Sequence, residues 1–126
     1  MGSLLWVCAG GAVGSGMRWV VAGWVQRAAG ATFPWGTLSV NLIGSFLLGL
    51  VMHVGLTTDV LPPTARLALS TGVMGGFTTY STFSYETLEL VRTGALALAA
   101  ANVALTVVAC LLSSVLGLVA GRALVG

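Results

Sequence analysis

Residues 75–86 read GGFTTYSTFSYE. Two adjacent glycines open the stretch. Thr78, Thr79, Ser81, Thr82 and Ser84 follow, with Thr87 just beyond, and aromatic rings and Glu86 are set among them. The rest of the chain is strongly apolar: 57% of its 126 residues are hydrophobic and 6% are charged. Mean hydropathy is +1.03. A soluble domain carries about 25% charged residues. This chain therefore fits a bilayer as its solvent, and the polar run falls inside a membrane-spanning segment.

Spanning helices need about 20 mostly apolar residues, and the chain offers four: about 4–25, 35–54, 64–89 and 95–120. Together they predict a single transmembrane domain over 1–126, all-α, with no linker. Pro62 and Pro63 suit the first turn of the third span. Trp24 and Trp35 flank the first loop, as expected at a headgroup boundary. Gly10 and Gly14, Gly72 and Gly76, and Gly117 and Gly121 form GxxxG pairs, which let helix backbones approach closely.

Other classes fall away. The net charge of +2 includes no Lys and no basic run, so no nucleic-acid partner is expected. Cys8 and Cys110 read as small buried hydrophobes, and no metal-binding spacing exists. MGSLLWV lacks the basic start of a signal peptide. His53 has no catalytic companion in sequence, so no enzyme is expected. With four spans, Arg66 and Arg122 fall on one side and Arg27 and Arg92 on the other. This tie leaves the positive-inside rule without a preference, which predicts insertion in both orientations and pairing of opposed copies.

Polar residues inside spans are costly and face protein or a watery path. Arg18 could snorkel to an interface or focus positive potential at a vestibule. Asn41 could hold helices together or offer N–H donors to an anion, with Thr37 one turn before it. In the fourth span Asn102, Thr106, Cys110 and Ser113 or Ser114 recur as one stripe. In the third span, 26 residues would extend roughly 39 Å if fully helical. The pair Gly75–Gly76 predicts a break there, which exposes backbone groups to ions. Phe77, Tyr80 and Phe83 would share a face, with Thr79, Thr82 and Glu86 alongside; the rings could pack on a neighbour, or their edges and the hydroxyls could meet an anion.

GGFTTYSTFSYE resembles the signature GG-x-TT-F-STF-S-x-E of the Fluc, or CrcB, family of small fluoride channels. GSGMRW (14–19) and FPWGTLSVNLIGS (33–45) are similar to the family's first and second helices. The resemblance covers essentially the whole chain. It implies an antiparallel, dual-topology homodimer in the bacterial inner membrane, with two pores passing fluoride down its gradient. It implies that Asn41 is a pore donor and that Tyr80 and Phe83 are the two ring-edge positions. Ser81, Thr82, Glu86, Asn102 and Thr106 would continue the polar path. Arg18 would sit at the vestibule. Gly75 and Thr78 carbonyls of both subunits would hold a structural Na+, with no organic cofactor. Three positions depart from the family: Tyr80 stands for Phe, Asn102 for Tyr and Cys110 for Ser.

A small four-helix multidrug or guanidinium exporter is the alternative. Such exporters use an acidic residue in the first helix, and residues 4–25 contain none. A non-transporting assembly subunit, with its polar stripes as glue, is the third reading.

Overall fold

The computed structural model describes residues 2–126, and these are helical apart from short connections. Helix α1 spans Gly2–Ala29 and α2 spans Trp35–Thr57. The next passage is composite: α3 (Pro63–Leu67), a π-helical segment (Ala68–Met74), the single turn α4 (Gly75–Phe77), and α5 (Tyr80–Arg92). Helix α6 spans Leu96–Val125. Helices α1, α2 and α6 are each long and apolar enough to cross a membrane. No single helix of the composite passage is. The elements extend two to five residues past most of the expected bounds, because polar ends such as Gln26–Arg27 and Thr57 continue the helical bonding.

Helix α2 packs most extensively on α6, and α1 packs on the π segment. Glycines set both contacts. A Cβ on Gly10 would fall 2.5 Å from the Ala68 carbonyl oxygen, and one on Gly76 would fall 2.6 Å from that of Gly11. On α6, a Cβ on Gly117 would overlap the Phe46 carbonyl. All three GxxxG pairs therefore work within one chain. Pro63 occupies the first turn of α3, as the sequence predicts.

Two loops are fixed locally. Gln26 donates through Nε2 to the Gly30 and Phe33 carbonyls, and its Oε1 accepts the Gly36 N–H at 3.0 Å. One side chain thus ties the end of α1 to the start of α2. Between α5 and α6, Gly94 takes φ +85°, a conformation that costs glycine little.

The break differs from the expected one. Gly75 is helical, with φ −61° and ψ −39°. The chain leaves the helix at Thr78 and Thr79, both extended. β-Branched threonines tolerate extended backbone well, whereas Gly76 serves close packing against α1 and Gly75 faces outward. Phe77, before the break, is therefore 3% exposed, whereas Tyr80, after it, is 79% exposed. Phe77, Tyr80 and Phe83 do not share one face. Cys8 is exposed, against its expected burial, and Cys110 is half-buried.

Candidate functional site

The site is built around the break. Four carbonyls ending a helix have no partner within it, and the first N–H groups of the next helix are equally open. Thr79 caps α5: its Oγ1 accepts the Thr82 N–H at 3.2 Å. The Thr79 N–H donates to Asn41 Oδ1 at 2.8 Å, and Asn41 Nδ2 donates to the Thr79 carbonyl at 3.0 Å. Asn41 can do both because its amide carries a donor and an acceptor side by side. Gly44, one turn along α2, leaves room for the Thr78 methyl. Arg18 donates from Nε to the Gly76 carbonyl at 3.0 Å. A cation at a helix C-terminus is favourable, so Arg18 is bonded into the broken helix and is not simply snorkelling.

Two cavities meet at this point. The first, about 390 Å³, lies between α2, α5 and α6 and is lined by Asn41, Ser45, Thr78, Phe83, Thr106 and Cys110, among others. The second, about 460 Å³, is lined by Arg18, Arg27, Thr37, Thr82 and Glu86. Thr79 lines both. The Asn41–Thr79 pair therefore stands as the wall between them. Tyr80 lines the first cavity, its ring 5.7 Å from that of Phe83 and edge-on at 61°.

Hydrogen-bond direction decides what these walls offer. Thr78 donates its hydroxyl proton to the Met74 carbonyl, and Thr87 to that of Phe83. Ser113 donates to the Leu42 carbonyl. Thr79 donates to Thr82 Oγ1 at 3.0 Å, which leaves the Thr82 proton free to face the second cavity. Asn41 keeps its second amide N–H. The hydroxyls of Ser45 and Ser114 line the first cavity, with Ser45 within hydrogen-bonding reach of the Cys110 thiol. Thr106 donates to Asn102 only at 3.4 Å, a bond weak enough to give up. The walls thus present several neutral donors. One acceptor opposes them: Glu86 Oε1 is buried without a partner.

The structure brings together Asn41, Tyr80, Phe83 and Thr106 in one cavity and Arg18, Thr37, Thr82 and Glu86 in the other. Ser81 lies exposed beside Thr79, and Asn102 is 2% exposed inside the protein; neither lines these cavities. Gly75 is exposed, and the Gly75 and Thr78 carbonyls accept no hydrogen bond among the described residues. Sequence reasoning missed Thr79 as the junction. Its signal was a threonine three residues before another hydroxyl residue, at the start of an amphipathic run. Ser45 and Gln26 were also missed.

Residues 5–118 match the family described as CrcB-like protein, Camphor Resistance (CrcB). The chain belongs to the CrcB family. CrcB relatives cover nearly its full length. One from Sorangium cellulosum is 52% identical over 120 residues, 95% of this chain and 94% of that protein. One from Anaeromyxobacter dehalogenans is 56% identical over 111 residues, 88% of each chain. One from Geobacter sulfurreducens is 46% identical over 124 residues, 98% of this chain and all of the relative. Each bears the name fluoride-specific ion channel FluC. As a CrcB protein with three long apolar helices, this chain is an integral membrane protein.

Proposed function

We propose that this chain is a fluoride-selective channel that lets the anion pass down its gradient, with no chemical step. The observation that carries the reading is the donor-rich junction at Asn41 and Thr79, where two open cavities of an apolar protein meet. Fluoride holds its water strongly, so a narrow dry passage must replace that water with donors. The second N–H of Asn41, the hydroxyls of Thr82, Ser45 and Ser114, and the ring edges of Tyr80 and Phe83 are of that kind. Arg18 and Arg27 raise the local concentration of anions at the second cavity. Chloride is larger and gains less from close donors.

The active unit is a homodimer of two opposed copies, each passing the bilayer four times, the third time as the broken passage. Two features favour it. Non-helical backbone at membrane depth persists only where protein or a water-lined cavity covers it. Yet Thr78 and Thr79 are only half-buried on a single chain, and Gly75, Tyr80 and Ser81 beside them are exposed. The opposed orientation is supported by the equal split of arginines. A second copy laid across the break would cover this surface and complete two pores. The Gly75 and Thr78 carbonyls suit a hard cation, since carbonyl oxygens at a helix C-terminus carry partial negative charge. They would hold the structural sodium between subunits and lock the breaks together.

The exporter reading lacks its acidic residue in α1. Cells without the gene test the channel reading. They are expected to become fluoride-sensitive and to recover when this chain is restored. Unchanged fluoride tolerance, or sensitivity to cationic drugs instead, would reject it.

A further inference from the structure

We infer that Asn102, although buried away from both cavities, is a positioning residue for the pore: through Thr87 it fixes the turn of α5 that carries the Phe83 ring. This rests on the channel reading. Asn102 Nδ2 donates to Thr87 Oγ1 at 2.8 Å, and Thr87 Oγ1 donates to the Phe83 carbonyl at 2.8 Å. The direction is forced. The single Thr87 proton goes to the carbonyl, so Thr87 can only accept from Asn102. The amide must then present nitrogen to α5 and oxygen to Thr106 on its own helix. Asn102 is 2% exposed; its bond with Thr106 is buried and its bond with Thr87 part-buried.

Helix α5 is thereby held by two asparagines. Asn41 of α2 grips its first residue boundary at Thr79, and Asn102 of α6 grips Thr87. Phe83 lies midway, one turn from each. A helix held at one point can roll about its axis. Held at two, one on either side of Phe83, it keeps the Phe83 ring facing the first cavity. The same amide receives the Thr106 proton weakly, so Thr106 remains able to turn and donate into that cavity. The shorter Asn side chain thus acts from behind the pore wall.

The test uses Thr87→Val, which removes one hydroxyl at nearly constant shape, with Asn102→Leu, the double variant and Thr87→Ser. Each full-length protein is reconstituted in liposomes. Efflux of fluoride and of chloride is measured, alongside thermal unfolding in detergent. Thr87→Val and Asn102→Leu are each expected to lower the fluoride-to-chloride rate ratio about tenfold, as one lost net hydrogen bond would. The double variant should fall no further than either single, and Thr87→Ser should restore the ratio. A lowered unfolding temperature with an unchanged ratio would overturn the inference, as would single effects that multiply in the double variant. Should Asn102→Leu fail to purify, the contrast of Thr87→Val with Thr87→Ser decides alone. Wild-type protein that passes no fluoride would defeat the channel reading itself. Wild-type flux with unaffected variants defeats only the role of Asn102.

Discussion

Asn41 satisfies both backbone groups of Thr79 at the break in the third passage: its Oδ1 takes the Thr79 N–H at 2.8 Å and its Nδ2 gives a proton to the Thr79 carbonyl at 3.0 Å. The same side chain lines the first cavity. Two backbone groups that lipid could never satisfy are thereby bonded, and one amide proton is left over. Structure and proposed permeation meet in a single residue.

Replacing Asn41 by Asp sets a carboxylate against the Thr79 carbonyl and removes every donor. Stability should fall by about 1–3 kcal/mol, the cost of leaving a buried polar group unpaired. Fluoride efflux should nearly vanish even in protein that remains folded. Wild-type efflux from Asn41→Asp liposomes would remove Asn41 from the pore.

Arg18 combines a fixed bond to Gly76 with a charge at the second cavity. The two parts separate by substitution. Arg18→Lys keeps the charge but loses the planar guanidinium. It should unfold more easily, by about 1 kcal/mol, while its efflux keeps the wild-type dependence on ionic strength. Arg18→Gln should weaken that dependence, leaving the part due to Arg27, because salt screens only a charge that steers. Efflux measured across a salt series checks both. An unchanged slope in Arg18→Gln would show that Arg18 does not steer.

Gly14 and Gly16 lie on one helix but differ in surroundings. A Cβ on Gly14 would overlap the Val73 carbonyl and fall 2.9 Å from the Phe77 nitrogen, whereas one on Gly16 meets nothing within 4 Å. Gly14→Ala should therefore cost about 1–3 kcal/mol, as overpacking does. Gly16→Ala should not lower the unfolding temperature and should raise it slightly, since Ala is favoured over Gly inside a helix by about 1 kcal/mol. Similar unfolding curves for the two would mean that α1 does not seat on the π segment as described.

The arginine tie predicts mixed orientation. Reporters fused at the C-terminus, one active only inside the cell and one only outside, should both give substantial signal. Signal from one reporter alone would reject the opposed dimer.

Much of this molecule was legible in its residues. Long apolar runs disclosed α1, α2 and α6, because lipid leaves few other ways to satisfy a backbone. The glycine pairs disclosed close packing but misplaced the break. A glycine can accept either a helical or an extended backbone, and Gly76 stayed helical where α1 packs closely on it. Thr78 and Thr79 took the break because Asn41 and the Thr79 hydroxyl supply the missing bonds. That choice depends on a side chain 38 residues away in sequence, which no local pattern contains. Asn102 shows the same limit. Its spacing fits the polar stripe of α6, but only the position of α5 decides that it faces Thr87 and not a cavity.

The most direct test is efflux from liposomes loaded with fluoride or chloride and containing only this purified protein. Rapid fluoride release with chloride retained, needing no proton gradient, is the predicted result. Equal release of both anions, or no fluoride release from folded protein, would contradict a fluoride-selective channel.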